Sequence, residues 1–274
     1  SEAASESSPA HSCAGNERIG RKSFTLLDFC FTGWGGKFEA SRDNALVGQL
    51  VQAGIFPGST RLPVDFALEG GAIDTDGAGT LLSTWRCLQA RHPDLSREAV
   101  AEKLRGWLVQ ERVLWLEHGA LEGDDTDAHI DTLARFAAPD AIVYQACDDP
   151  KDPHYPALRA MGAELAALRT AADAPYRLFP LPWVPPIVEE NRTLAASYAN
   201  FLIINGAVLM PAYGLDPAGQ HLDDQATAVL AAAFPGREIV KIPSRPLIRQ
   251  NGSLHCITMQ LPQGCVAVLG DTRL

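Results

Sequence analysis

Short apolar segments alternate with amphipathic helical segments along this chain of 274 residues, and that alternation limits the possible folds more than any other feature. Apolar runs typical of strands occupy residues 24–31, 113–116 and 141–146. Between the first two runs, Ser96 can cap a helix that carries Val100 on its apolar face. Strands that alternate with helices in this way predict an α/β fold.

Two turn signals add short hairpins to this pattern. Asp76-Gly77 and Asn205-Gly206 are typical of hairpin turns between short strands, and each has apolar residues on both sides. Further along, Asp223 is predicted to cap a helix, and residues 254–258 are predicted to form a strand that places Leu254, Cys256 and Thr258 on one face and His255 on the other. A strand-strand-helix order therefore recurs loosely along the chain.

Charge and hydropathy narrow the range of partners. The formal net charge is −10, and the sequence has no cluster of Lys and Arg that could neutralise a row of phosphates. Nucleic acid is therefore excluded as an expected partner, whereas a small cationic substrate is compatible with the charge. No apolar run reaches the roughly 18 residues of a membrane span, and the N-terminus shows no export signal.

The expected organisation is one domain with a polar tail. Residues 1–22 are rich in Ser, Ala and Glu without apolar periodicity, which predicts a disordered tail or linker, and residues 23–274 are predicted to form a single domain. The six cysteines are scattered and include no C-x-x-C pair. We therefore expect a reducing cytoplasm, with most of these thiols serving as small apolar packing groups.

One stretch concentrates chemistry in an otherwise apolar neighbourhood. Residues 124–131 contain four acidic side chains and His129 within eight positions. In an extended backbone, His129 and Asp131 would leave the chain on the same face, where an imidazole and a carboxylate could move a proton or hold a cation. The alternative is an Asp-rich solvated turn before a strand whose histidine has only a structural role. The stretch by itself leaves both interpretations open.

Two further positions are candidates for the same site. Glu69 is predicted to lie at a strand end beside Gly70 and Gly71, where the glycines permit a close approach of the backbone, and the alternative is a solvated carboxylate. Cys256 follows an Asn-Gly bend at the start of a predicted strand, a placement that suits a nucleophile. A buried structural role is the commoner fate of a single cysteine, and it is the one expected for Cys265.

Four motifs in order resemble those of the agmatine deiminase family, which is also known as the bacterial-type peptidylarginine deiminases. They are residues 69–71 (EGG), 123–131 (GDDTDAHID), 198–201 (YANF) and 252–256 (GSLHC). The resemblance runs from about residue 24 to residue 261 with compatible spacing. It implies a five-module pseudosymmetric α/β propeller of the pentein-like type, with about four modules present in this chain.

The same resemblance implies hydrolysis of the guanidinium group of agmatine to N-carbamoylputrescine and ammonia, without metal or cofactor. It assigns Cys256 as the nucleophile, His129 as the general acid and base, and Asp131 and Glu69 as substrate-binding carboxylates. Asp125 could meet the distal amine of agmatine or belong to a turn, whereas Asp127 is expected in a solvated turn. Physical chemistry agrees, because forked guanidinium N–H groups suit carboxylates and a thiolate is the reactive form of cysteine.

Several alternatives remain at this point. Family members carry an earlier Arg-Asp-x-Gly-Pro-like motif that this sequence lacks, so we expect the first module to be missing from a cropped or truncated chain. The substrate could instead be arginine or peptidylarginine, and an amidinotransferase is a further relative. A truncated, inactive binding module is the non-enzyme alternative, and a metal hydrolase using His129, Asp131 and His221 is a weaker one. A homo-oligomer is compatible with the sequence.

Overall fold

The structure is a computed structural model that describes residues 24–214 and 217–266. The tail predicted for residues 1–22 lies outside the described residues, as do Cys13 and the last part of the predicted domain at residues 23–274. Within the described ranges the chain forms short strands, α-helices and three single-turn 3₁₀ helices. None of the helices described in these ranges combines the length and the apolar character needed to cross a membrane.

The strands are β1 (Thr25–Cys30), β2 (Thr60–Ala67), β3 (Ile73–Thr75), β4 (Thr80–Thr84), β5 (Arg112–Leu116), β6 (Ala134–Ala138), β7 (Ala141–Gln145), β8 (Arg177–Leu181), β9 (Ile187–Glu189), β10 (Arg192–Leu194), β11 (Leu202–Ile203), β12 (Ala207–Ala212) and β13 (Glu238–Pro243). The α-helices are α1 (Gly33–Gly36), α2 (Ser41–Asn44), α3 (Leu46–Gln52), α4 (Trp85–Arg91), α5 (Arg97–Leu108), α6 (Tyr155–Ala167), α7 (Pro217–Ala233) and α8 (Arg245–Ile248). The 3₁₀ helices span Gly70–Ala72, Ile130–Thr132 and His255–Ile257.

One folding unit occurs three times in the part of the chain that the structure describes. In it, an antiparallel hairpin is followed by a helical crossover to a third strand that pairs in parallel with the second. The three units are β3-β4-α4-α5-β5, β6-β7-α6-β8 and β11-β12-α7-β13. β1 and β2 pair in parallel across α1, α2 and α3, which matches the second half of the unit. The predicted α/β class and the strand-strand-helix order are thus confirmed.

The crossover helices bury one apolar face against the sheets. α5 contributes Val100 and Leu104, and α6 contributes Leu158, Met161 and Leu165, all at most 1% exposed. These residues recur at intervals of three or four, so they share one side of each helix. Ser96 caps α5 as predicted, with its hydroxyl oxygen accepting a hydrogen bond from the backbone N–H of Ala99. These helices therefore cover the sheets and form the core with them. Polar side chains can then lie at the ends of the strands.

The predicted helix-capping role of Asp223 is wrong. α7 begins at Pro217, so Asp223 lies inside the helix, where it is buried. Its carboxylate accepts hydrogen bonds from Tyr198 Oη at 2.7 Å and from the backbone N–H groups of Tyr213 and Gly214 at 3.1 and 3.0 Å. Because a buried carboxylate must be satisfied, this aspartate ties two neighbouring segments to the helix instead of capping it.

A buried ion pair joins the sheet β3-β4-β5 to the sheet β6-β7-β8. Asp74 on β3 accepts from Arg135 Nε at 2.7 Å and from the backbone N–H of Phe136 at 2.6 Å. Arg135, whose side chain is 3% exposed, also donates to the carbonyl oxygen of Phe201. Asp74 thus compensates a guanidinium that water cannot reach.

We expect Asp74→Ala to lower the free energy of unfolding by about 3–5 kcal/mol, because it leaves the Arg135 guanidinium buried without its counter-ion. The matched control is Asp140→Ala, which removes an ion pair with Arg177 in which both side chains are 57% exposed. That change should cost less than about 1 kcal/mol. Urea unfolding monitored by circular dichroism measures both values, and equal losses would contradict the assigned role.

Candidate active site

Glu69 follows the last residues of β2 and precedes the 3₁₀ helix at Gly70–Ala72. The side chain is buried, and Arg91 Nε donates to its two oxygens at 3.0 and 3.2 Å. His129 Nε2 lies 3.5 Å from Glu69 Oε2. Burial alone would raise the pKa of Glu69, but the contact with His129 and the charge of Arg91 outweigh it and lower that pKa. Glu69 is therefore held as a carboxylate.

The acidic stretch forms a tight loop that Asp124 organises. The Asp124 carboxylate accepts hydrogen bonds from the Thr126 backbone N–H and hydroxyl at 2.9 and 2.5 Å, and from the Ala128 N–H at 3.1 Å. Asp127 and Ala128 both adopt positive φ angles of 64° and 70°. This backbone path turns the chain back on itself just before His129, so the imidazole enters the interior.

Asp127 is not in the solvated turn that was expected. Arg91 Nη1 contacts its carboxylate at 2.7 Å and Lys37 Nζ contacts it at 2.8 Å, while Arg91 Nη2 donates to the carbonyl oxygen of Thr126. Burial by itself would raise the pKa of Asp127, but the hydrogen bonds and charges of Lys37 and Arg91 lower it. The buried cation, Arg91, lies on α4 and is 36 residues from Asp127 in the sequence, so local sequence signals do not indicate the pair.

The extended backbone considered for residues 129–131 is not formed, because the 3₁₀ helix Ile130–Thr132 begins directly after His129. Both side chains nevertheless reach the same place. A Cβ atom built on Gly71 would lie 2.6 Å from His129 Nδ1 and 2.9 Å from Asp131 Oδ2. Since only glycine leaves room for these two groups, the close approach expected at Gly70 and Gly71 is found at Gly71.

Cys256 lies in the 3₁₀ helix His255–Ile257, so the strand predicted at residues 254–258 is wrong. Although the residue is exposed as a whole, its sulfur faces Asn200 and Asp131. Cys256 Sγ lies 3.3 Å from Asn200 Nδ2 and 3.7 Å from Asp131 Oδ2. Asn200 Oδ1 also accepts from the backbone N–H groups of His255 and Cys256 at 2.8 and 3.4 Å. The buried amide of Asn200 therefore holds the backbone of His255 and Cys256 in place of strand pairing.

His255 does not face away from this cluster, because the strand that would have turned it away is not formed. Its Nδ1 lies 2.8 Å from Asp131 Oδ2, the oxygen that Cys256 also contacts. Asp131 is 1% exposed, and burial alone would raise its pKa, but the hydrogen bond from His255 and the charge of His129 lower it. Asp131 is thus an ionised carboxylate at the centre of the cluster.

Sequence reasoning also missed Cys87, which was expected only to pack. This buried thiol on α4 lies beside His129, and the ligand atoms of Glu69, Cys87 and His129 are all within 4.8 Å of one another. Burial alone would lower the pKa of His129, but contacts with Cys87 and Glu69 and the charge of Asp131 raise it to about 10. His129 is therefore an imidazolium at neutral pH and can donate a proton.

The structure does not bring every predicted residue into the cluster. Asp125 is half-buried, and its backbone oxygen accepts from Lys37 Nζ at 2.6 Å, but no contact of its carboxylate with Glu69, His129, Asp131 or Cys256 occurs among the described residues. His221, from the metal-hydrolase alternative, is exposed and pairs with Gln225 on α7. The remaining four predicted residues form one cluster of a thiol, an imidazole and two carboxylates.

We expect the thiol of Cys256 to react slowly with neutral alkylating agents. Desolvation of its sulfur atom and the charge of Asp131 raise its pKa to about 12, so its thiolate fraction at pH 8 should be about 10³-fold below that of an ordinary cysteine. The rate of iodoacetamide labelling at Cys256, mapped by mass spectrometry, should rise about tenfold per pH unit from pH 7 to pH 10. In the urea-unfolded chain the difference should vanish. A labelling rate that levels off near pH 8.5 in the folded protein would be inconsistent with this environment.

Comparison with known proteins gives concordant results. A model of the Porphyromonas-type peptidyl-arginine deiminase family matches residues 13–262. The agmatine deiminase of Stutzerimonas stutzeri is 33% identical over 261 residues, which cover 86% of this chain and 69% of that protein. The agmatine deiminase of Pseudomonas fluorescens is 37% identical over 217 residues, covering 72% of this chain and 57% of that protein.

Solved structures have the same fold. A Porphyromonas gingivalis structure, provisionally named an arginine deiminase, is 50% identical with a TM-score of 0.84, and the match covers 89% of this chain and 71% of that one. An agmatine deiminase from C. jejuni, with a cysteine-to-serine substitution and substrate bound, is 38% identical with a TM-score of 0.76. That match covers 84% of this chain and 66% of the C. jejuni chain.

Proposed function

The chain belongs to the Porphyromonas-type peptidyl-arginine deiminase family, and we propose that it is an agmatine deiminase that hydrolyses the guanidinium group of agmatine to N-carbamoylputrescine and ammonia. The observation that carries the proposal is the cluster itself. Cys256 Sγ lies 3.7 Å from the Asp131 carboxylate, which meets His129 at Gly71, and Glu69 lies on the other side of the imidazole. The agmatine deiminases among the relatives support the choice of substrate.

The two buried carboxylates suit a guanidinium. Its planar N–H groups form paired hydrogen bonds with carboxylates, so Asp131 and Glu69 would hold it and place its carbon near Cys256. Both carboxylates have lowered pKa values and are ionised at neutral pH. Asp125, four residues before His129, is proposed to meet the distal ammonium of agmatine. Asp131 and Glu69 at the guanidinium, with Asp125 at the ammonium, would thus select a substrate with a cation at each end.

The first half of the reaction forms a covalent intermediate. A guanidinium bound to Asp131 offsets the charge that raises the pKa of Cys256, so the thiol can lose its proton to solvent. The thiolate then attacks the guanidinium carbon and forms an S–C bond. His129, an imidazolium at neutral pH, donates its proton to one nitrogen, and the C–N bond breaks to release ammonia. An amidino-thioether on Cys256 remains.

The second half restores the enzyme. His129, now neutral, takes a proton from water, and the oxygen attacks the amidino-thioether carbon. The S–C bond breaks, Cys256 leaves as a thiolate, and the ureido product forms after loss of a proton to solvent. Asn200 Nδ2, 3.3 Å from the sulfur, donates to the thiolate in both halves. Each proton that His129 gives to ammonia is therefore recovered from water.

Arginine is the second candidate substrate, and a specific comparison favours it. The Porphyromonas gingivalis structure that is 50% identical bears the provisional name arginine deiminase, and the family model is named for peptidyl-arginine. Free arginine carries a carboxylate that agmatine lacks. We propose that Asp125 repels this carboxylate, which favours agmatine over arginine. A peptide-linked arginine lacks the free carboxylate, so it has to be tested separately.

An ammonia-release assay with agmatine, free arginine and a blocked arginine peptide tests the proposal. We expect turnover of agmatine above the other two, and a fall in kcat of about 10³-fold or more in Cys256→Ala, because the covalent step is lost. The matched control, Cys265→Ala, removes a buried thiol that lies outside the cluster and should keep its activity. Rapid turnover by Cys256→Ala would refute the mechanism, and preferred turnover of arginine would establish the second candidate.

Adjacent glycines provide a sharper test of the site geometry. Gly71→Ala would push a methyl group against His129 and Asp131, and we expect kcat to fall about 10²-fold. A Cβ on Gly70 has no atom within 4 Å, so Gly70→Ala should change kcat by no more than about twofold. Steady-state kinetics with agmatine distinguish the two variants. A similar loss in both would mean that the loop, and not the contact at Gly71, controls the rate.

We also propose the number of modules in the fold, the location of the protein in the cell and its oligomeric state. The three repeated units and the half unit formed by β1 and β2 support a five-module pseudosymmetric propeller, of which this chain holds about four modules in one domain, residues 23–274. We place the protein in the cytoplasm, as expected from the scattered cysteines. A homo-oligomer is part of the same proposal, and light scattering of the purified protein measures its mass.

A further inference from the structure

We propose that Glu69, Cys87 and His129 bind one Zn²⁺ ion, and that the bound ion reversibly inhibits the enzyme. The binding stands on geometry alone, whereas the inhibition rests on the proposed function of His129. The metal would take no part in the reaction. It would occupy His129, which has to exchange protons, and Glu69, which has to bind the substrate. Cys87, its third ligand, is a thiol that the proposed reaction does not use.

The three side chains converge from separate parts of the chain. Glu69 follows β2, Cys87 lies on α4, and His129 ends the acidic loop, yet their ligand atoms are all within 4.8 Å of one another. All three residues are buried, at 7%, 0% and 5% exposure. Within residues 24–214 and 217–266, no other group of three His, Cys, Asp or Glu side chains meets the same condition. The cluster is therefore a preformed set of ligands.

The separation between His129 and Glu69 fits a metal better than a hydrogen bond. His129 Nε2 is buried and makes no hydrogen bond among the described residues, and Glu69 Oε2 lies 3.5 Å away. Two ligands at 2.0–2.2 Å from a tetrahedral Zn²⁺ are about 3.4 Å apart. An ion placed between these two atoms would replace the proton on Nε2 with little movement of either side chain.

The chemical types of the three ligands favour Zn²⁺ over Mg²⁺ and Ca²⁺. A thiolate, an imidazole and a carboxylate are the ligands that Zn²⁺ prefers, whereas Mg²⁺ and Ca²⁺ require oxygen ligands. Three protein ligands leave a fourth position for water. Arg91 Nε donates to both oxygens of Glu69, at 3.0 and 3.2 Å, and orients the carboxylate. The thiol proton of Cys87 and the Nε2 proton of the His129 imidazolium pass to solvent when the Zn–S and Zn–N bonds form.

Calorimetric titration of the metal-free protein with Zn²⁺ tests the binding. We expect one ion per chain, an affinity at least tenfold lower in Cys87→Ala, and an unchanged affinity in Cys256→Ala, since Cys256 is not one of the ligands. Mg²⁺ should give no heat of binding. Loss of binding in Cys256→Ala with retention in Cys87→Ala would place the metal on the nucleophile and overturn the proposal, as would absence of binding in the wild type.

A second measurement does not depend on how well Cys87→Ala folds. Co²⁺ in place of Zn²⁺ gives a thiolate-to-metal charge-transfer absorption, which we expect in Cys256→Ala, where Cys87 is the remaining thiol near the cluster. Its absence in that variant would overturn the assigned ligand.

Ammonia release from agmatine tests the inhibition separately. Zn²⁺ should suppress the wild-type rate, and a chelator should restore it. Cys87→Ala, compared with its own metal-free rate, should need at least tenfold more Zn²⁺ for the same suppression. Equal sensitivity of both proteins would refute inhibition through this site. Cys87-dependent Zn²⁺ binding in a protein that turns over no substrate would instead uphold the site and reject the proposed function.

Discussion

The buried guanidinium of Arg91 is the interaction on which the candidate site depends. Its side chain is fully buried, and it binds Glu69 after β2 together with Asp127 and the Thr126 carbonyl of the acidic loop. A buried guanidinium needs all its N–H groups paired, so this one cation fixes the position of two separate segments. Because the loop ends at His129, the same contacts that satisfy Arg91 bring the imidazole to the carboxylate of Glu69.

The second determinant is the balance of charge around His129 and Asp131. Burial alone would neutralise both groups, but each is surrounded by partners that favour its charged form. The opposite holds for Cys256, where burial and the charge of Asp131 act together and keep the thiol protonated. The resting site therefore holds an imidazolium and a protonated thiol, and a bound cation is the change that favours the thiolate. In the proposed mechanism, this arrangement links the reactivity of Cys256 to the presence of a guanidinium.

Much of the fold could be predicted from local signals. The apolar strand runs, the Ser96 cap and the Asn-Gly and Asp-Gly turns act within a few residues, so their outcomes follow from the sequence alone. The failures involve groups whose partners are distant in sequence. Asp223 accepts hydrogen bonds from Tyr198, Tyr213 and Gly214 and does not cap a helix. A 3₁₀ helix at His255–Ile257 replaces the strand predicted at residues 254–258, because Asn200, 55 residues from His255, binds its backbone N–H.

The sequence by itself determined which residue types are available for chemistry, and four ordered motifs were enough to indicate Glu69, His129, Asp131 and Cys256 as candidates. Tertiary structure alone decided that Cys87 lies beside His129, that His255 contacts Asp131, and that Asp127 is paired with Arg91 and Lys37. The physical reason is that burial and pairing are set by atoms that meet only when separate modules pack together. Residue identity specifies what a side chain can donate or accept, whereas packing specifies its partner.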